Sequence, residues 1–433
     1  MHLADSYLFM CRKKLTALNS TRTIDNFNIL KLLCFNNIIM STFVSGPINT
    51  VRLEGQIGNI NKVLYLFFDF HASMTHQTEC ENIRSIELKD YLIKNFDITK
   101  SKIDFFLEID TIDGAFDDEY YSGHRMKERR IYINNLRKFF KQNFNYDKKI
   151  NKVYESKEFP NTRLHYIDFR DLFMNDISFT RMPNIRNYFM NNCWNPIYID
   201  EQDIHFMRQE FKYIDNRMKF LKEYIFSKAK FEGKKSYRIE LFEKMINKIK
   251  NIYHNKEIHD KIKKYFEDVL LTVFKKYEKK FMDFFEYLNL LEIEIKDKSN
   301  KLNKSGSGYG IDKRKLTKEY LPTILEFIND IHTYVEDMGL LIMDTYFLRR
   351  FLDKSYITNA LVYTGAAHSC NYLYFLVKYC DFKITHTSYI KVPSKELHNI
   401  IKSSKHYEEL KKYVLPQELY QCSDLTGFPE RFT

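Results

Sequence analysis

Apolar and polar positions alternate in two different rhythms along this chain, and the change between them divides it. Val51 to Ile57, the turn Gly58 to Asn61, and Lys62 to Phe70 read as a β-hairpin that leads into a strongly apolar strand, VLYLFFDF. Thr78 and Glu81 form a T-x-x-E capping box, which predicts a helix from Glu79 to Asn95. A strand follows at Ile103 to Ile109. Next come an acidic loop through Asp113, Asp117, Asp118 and Glu119, a helix with Leu136, Phe139 and Phe140 inward, and a strand at Arg163 to Phe169. From Asp203 to Lys296 the period becomes helical, with Ile239, Leu241, Met245, Ile249 and Ile252 spaced by two to four residues. Lys298 to Lys315 is polar and glycine-rich, which predicts a mobile loop, and helices resume from Tyr320 to Asp353. Asn359 to Tyr389 then reads as strand, glycine turn, helix and strand, before a helical tail near Ser394 to Leu415.

Strand and helix in alternation argue for an α/β fold with a mainly parallel or mixed sheet. The late strand, helix, strand unit rejoins the first sheet, so both chain ends build it around a large helical insertion. The expected division is an N-terminal extension (1–40), an α/β half (41–200), the helical insertion (201–355) and a second α/β half with its tail (356–433). A strand-rich pattern begins soon after Met40, which makes Met40 a candidate start.

Composition narrows the function classes. No run of twenty apolar residues occurs, and the best stretch, Ile29 to Val44, is broken by Lys31, Asn36 and Asn37, so no membrane span is expected. The net charge of +11 invites a nucleic-acid reading, through the helical insertion if anywhere. Its lysines alternate with Glu257, Asp260, Glu267, Asp268 and Glu278, however, which is the pattern of a solvated helix face, so nucleic acid is not an expected partner. Seven cysteines without a CxxC pair suit buried free thiols in a reducing compartment.

Ligands of parallel α/β sheets bind beyond the carboxyl ends of the strands. Four strand ends supply chemistry there: His71; Glu108 with Asp110; Asp168 with Arg170; and Gly365 with His368. The segment DFHASMTHQTE adds Asp69, His76 and Glu79, a set able to bind one divalent metal ion or to activate water. Glu108 closes the apolar strand DFFLE, where an ionised group is costly unless paired; it is a base, a ligand, or the partner of Arg170 or Arg125. Asp344, in LLIMDTYFLRRF, either reaches this site or forms an intrahelical ion pair with Arg349 or Arg350. His386, on the last strand, is a second-rank candidate with Asp69, His76, Asp110 and Asp168.

An early strand-end histidine (FFDFHAS), a strand ending in glutamate (DFFLEI) and a late GxxH at Gly365 to His368 together resemble the TraB/Tiki and erythromycin-esterase-like superfamily. The resemblance implies a hydrolytic site in which His71, Glu108 and His368 hold a divalent metal or assist water. Phe68 stands three places before His71, where Tiki-type members repeat the glycine. The segments MDTYFLRR, YTGAAHSCNY and VRLEGQIGNINKVLYLFFDFH also resemble uncharacterised proteins of giant DNA viruses, over nearly all of the chain after Met40. That likeness implies a viral source, a setting in the host cytoplasm or the virion, and viral or host proteins as partners. The rival to a hydrolase is accordingly a virion or host-interaction protein that keeps the fold without the chemistry.

Overall fold

The computed structural model describes residues 42–70, 80, 85–110, 132–147, 152–194, 199–227, 231, 235–303, 311–418 and 420–432. Residues from Phe43 onward form one compact unit. Its centre is a six-stranded sheet of β1 (Asn49–Ile57), β2 (Ile60–Asp69), β3 (Ile103–Asp110), β4 (Thr162–Asp168), β5 (Asn359–Gly365) and β6 (Lys383–Thr387). The order across the sheet is β6, β1, β2, β5, β3, β4. β2, β5, β3 and β4 are parallel neighbours, whereas β1 is antiparallel to both β2 and β6. The sheet is therefore mixed, and the late strand β5 lies between two strands from the early chain.

The hairpin forms as the sequence predicts. β1 and β2 pair from Asn49↔Phe68 to Ile57↔Ile60, and Gly58 takes the positive φ of 57° that lets two residues turn the chain. Side-chain alternation then sorts the strands onto two cores. Leu64, Leu66, Phe68, Phe106, Ala360 and Val362 face one side. Tyr65, Phe67, Phe105, Leu107, Leu361 and Tyr363 face the other.

The second face is covered by α1 (Leu88–Ile98), α2 (Tyr132–Asn143) and the C-terminal Phe428 and Phe432. Leu136 and Phe140 point inward from α2, as expected. The first face carries the helical region: α3 (Met182–Trp194), α4 (Glu201–Phe226), α5 (Tyr237–Asn251), α6 (Lys256–Tyr265), α7 (Leu271–Asn303) and α8 (Leu321–Asp353). The long helix α8 lies directly on the sheet, with the Phe347 ring edge-on to Phe106 at 4.9 Å. Behind β5, α9 (Ala366–Cys380) packs on the same face, followed by α10 (Ser394–Ser403).

Three expectations change. The Thr78 and Glu81 capping box lies outside the described residues, and the helix begins at Leu88, because Ile86–Glu87 forms a short strand parallel to Phe43–Ser45. Lys298 to Asn303 is not loop but the last turns of α7, where Lys298 bonds Glu294 four residues earlier. Cys80 and Cys422 are not free thiols; they form a disulfide across 342 residues of sequence. Cys370 and Cys380 are the buried free thiols that composition suggests.

Candidate active site

Glu108 and His368 meet. Glu108 lies two residues before the end of β3, and His368 sits in the first turn of α9, immediately after β5, so parallel pairing of these two strands brings the two residues to one edge. The Gly365 amide, at the N-terminus of α9, donates to Glu108 Oε2 at 2.7 Å. His368 Nε2 lies 3.3 Å from Glu108 Oε1. On its other side His368 Nδ1 donates to Asp344 Oδ1 at 2.6 Å. Asp344 thus reaches across from α8 and is not the partner of Arg349 or Arg350. Its second oxygen accepts from Asn371 Nδ2 at 2.6 Å, and the Tyr265 hydroxyl from α6 donates to Asn371 Oδ1.

The chain of charges continues outward. Arg170 Nη2 donates to Glu108 Oε1 and to Asp168 Oδ2, each at 2.7 Å, while Arg170 Nε donates to Asp168 Oδ1 at 2.9 Å. Of the partners open to Glu108 in the sequence, it takes Arg170, and Arg125 lies outside the described residues. Among the described residues, the carboxylates of Asp344, Glu108 and Asp168 face the cations His368 and Arg170. Glu108, Asp344 and His368 are buried, and Arg170 with Asp168 is open in part to solvent.

These surroundings fix the protonation state. Burial alone lowers a histidine, but the negative charges of Asp344 and Glu108 outweigh it and raise His368 to about 9. Burial likewise raises Asp168, and Arg170 more than reverses this, holding the carboxyl below its ordinary value. With that shift His368 carries a proton on each nitrogen at neutral pH, and a metal ion would have to displace one of them to bind. Among the described residues no three His, Cys, Asp or Glu side chains are placed to hold a metal. Two of the three expected ligands, Glu108 and His368, are thus in contact, and the third, His71, lies outside the described residues.

The remaining sequence candidates scatter. His71 and His76 lie outside the described residues. Asp110 stands opposite Asp168 in the β3–β4 register, and its side chain is not described. Asp69 shares the face of Tyr65 and Phe67, opposite to Glu108, and accepts from Gln421 Nε2 at 2.7 Å. His386 is on the edge strand β6, level with Arg52, where its ring meets Phe428 at 5.4 Å; antiparallel β1 separates it from the parallel strands. Neither belongs to the His368 cluster.

Sequence reasoning missed a second cluster on the same face. Asp104, four residues before Glu108 on β3, accepts from Arg163 Nε at 2.8 Å and from His165 Nε2 at 2.7 Å. The signal was present: Asp104, Phe106 and Glu108 alternate onto one face of an apolar strand, and Arg163 and His165 do the same on β4.

Comparison with known proteins places the chain. A family described as a family of unknown function, DUF5847, matches residues 42–433. The chain belongs to the DUF5847 family. Relatives include uncharacterized protein R706 of Acanthamoeba polyphaga mimivirus, 31% identical over 94% of this chain and 99% of the relative. Uncharacterized protein R160 of the same virus is also 31% identical, over 90% of this chain and 97% of the relative. No solved structure matches. The expected kinship with giant-virus proteins is thus shown, and none of these findings supports the likeness to the TraB/Tiki and esterase-like superfamily.

Proposed function

We propose that this DUF5847 protein works by binding a viral or host protein and that its His368 cluster is structural. The observation that carries this reading is the use of both imidazole nitrogens by buried carboxylates. A histidine raised to about 9 is protonated at neutral pH and is a poor general base there. The outward side of α7 exposes Met282, Leu290 and Ile293, an apolar strip at helical spacing among lysines and carboxylates. Surfaces of that kind are the ones partner proteins cover. The Cys80–Cys422 disulfide favours the virion over the reducing host cytoplasm as the setting.

A second reading keeps the hydrolase. Glu108, Asp168, Gly365 and His368 do emerge at the carboxyl edge of parallel strands, where α/β proteins place their chemistry. In that reading the His368 imidazolium is a general acid and His71 supplies the missing group. Assay of the wild-type chain and His368→Ala against ester and peptide substrates separates the two. We expect no turnover by either protein and a loss of thermal stability in the variant. His368-dependent turnover with an unchanged melting temperature would establish the hydrolase.

A further inference from the structure

We propose that the groove beside β4 binds the phosphate group of a small phosphomonoester. This cavity, of about 630 Å³, opens between β4, the short strand Lys152–Val153 and α8, and it has the size of ordinary small-ligand sites. Its lining is basic and aromatic: Lys152, Arg163 and Arg350 with Tyr154, Tyr166 and Tyr356. Glu155 also lines it, and Asp104 lies beneath, already engaged with Arg163 and His165.

The decisive feature is how Arg350 is held. His165 Nε2 donates to Asp104, which leaves Nδ1 with a lone pair, and Arg350 Nη2 donates to that nitrogen at 3.0 Å. An arginine oriented by a carboxylate has its charge cancelled. Here the orienting group is an imidazole kept neutral: burial and the Arg350 charge lower His165 to about 4 despite Asp104. Arg350 therefore stays aimed, with the imidazole and the Tyr346 hydroxyl beside it and no carboxylate partner among the described residues. Lys152 meets no carboxylate among the described residues; it lies over the Tyr154 ring at 4.9 Å. Two cations without acid partners match the two negative charges of a phosphomonoester, and a guanidinium offers a phosphate two parallel donors. Tyr154 and Tyr356 are exposed at the rim, with Arg163 over the Tyr356 ring at 4.8 Å, and present flat faces to a base or other organic part.

Calorimetric titration of the full chain with AMP, adenosine and inorganic phosphate at low ionic strength tests the proposal. AMP is expected to bind one to one, adenosine at least about tenfold more weakly, and Arg350→Gln to weaken AMP at least about tenfold. Lys152→Gln, at an exposed position, is expected to weaken AMP severalfold, and it carries the decision if Arg350→Gln does not fold. Inorganic phosphate binding as tightly as AMP would keep the phosphate site and remove the tyrosines' part. No binding of AMP or phosphate at millimolar concentration, or adenosine binding as well as AMP, would overturn the proposal, as would both variants binding like wild type.

Discussion

His368 is a titratable group whose partners are present only in the folded chain, and this makes it a stability switch at accessible pH. Its folded value is raised to about 9 from an ordinary 6.5. A group raised on folding stabilises fully below its unfolded value, and that contribution disappears as pH climbs through the folded value. The window is therefore pH 6.5 to 9. Two other buried groups complicate it. His165 is lowered to about 4, so it costs stability below pH 6.5, and Lys62 is lowered to about 8, so stability returns as pH rises above that. Between pH 6.5 and 8 the His368 effect stands clear. Urea denaturation of wild type against His368→Gln should show the wild-type advantage shrinking by about 1.5 kcal/mol across that interval. An advantage that does not shrink across that interval would mean that the folded value of His368 is not raised.

Among the elements, α8 carries the most, and its C-terminus shows how a buried charge is accommodated. Lys62 on β2 points beneath the end of this helix, and its ammonium donates to the carbonyls of Phe351 (2.9 Å), Lys354 (2.9 Å) and Ile357 (2.6 Å). The Lys354 carbonyl also accepts from the Ile357 amide at 3.2 Å, and a cation there meets the negative end of the helix dipole. Lys62→Met keeps the volume of the stem but removes the ammonium donor from the Phe351 and Ile357 carbonyls and leaves Lys354 only the Ile357 amide. It should lower stability by about 3 kcal/mol, checked by denaturation at pH 7; a change under about 1 kcal/mol would mean that water replaces the ammonium. Much of this scale was legible in the sequence, because period alone separates VLYLFFDF and NALVYTG from the helices that follow them. The edges of the site were legible for the same reason: Glu108 and His368 each terminate an apolar strand or open the helix behind it. What period cannot give is which surfaces face each other. Asp344 sits in a helix whose neighbours in sequence, Arg349 and Arg350, offer a local pair, and only packing of α8 across the sheet turns it toward His368. His386 and Asp69 lie apart from His368 for the complementary reason. They carry the right chemistry on strands of this sheet, but one lies on an edge strand beside antiparallel β1 and the other on the opposite face.

At the scale of the whole molecule the sheet is a joint between distant parts of the chain, and the disulfide closes it on one side. Cys422 begins a short strand antiparallel to Phe43–Ser45, which in turn runs parallel to Ile86–Glu87. Gln421 reinforces the same seam: its carbonyl accepts from the Gly46 amide at 3.0 Å, and its side chain donates to Asp69 at 2.7 Å. The C-terminal segment beyond it packs Phe428 and Phe432 against Tyr65 on the sheet face that α1 and α2 cover. Few backbone bonds hold this segment, so without the crosslink it is the part of the fold most able to detach. Joining residues 342 apart removes much of the freedom of the unfolded chain, and natural crosslinks of this kind contribute typically about 2–4 kcal/mol. Cys422→Ser, or reduction of the wild type, should therefore lower the melting temperature by roughly 5 °C. The same treatment should open the chain to protease near residue 420 while the six-stranded sheet persists. Thiol counting under denaturing, non-reducing conditions decides whether the premise holds. Free Cys80 and Cys422 in protein taken directly from its natural setting, with no response of melting to reductant, would return the protein to a reducing compartment. It would also leave hydrogen bonds and aromatic packing alone to seal the seam.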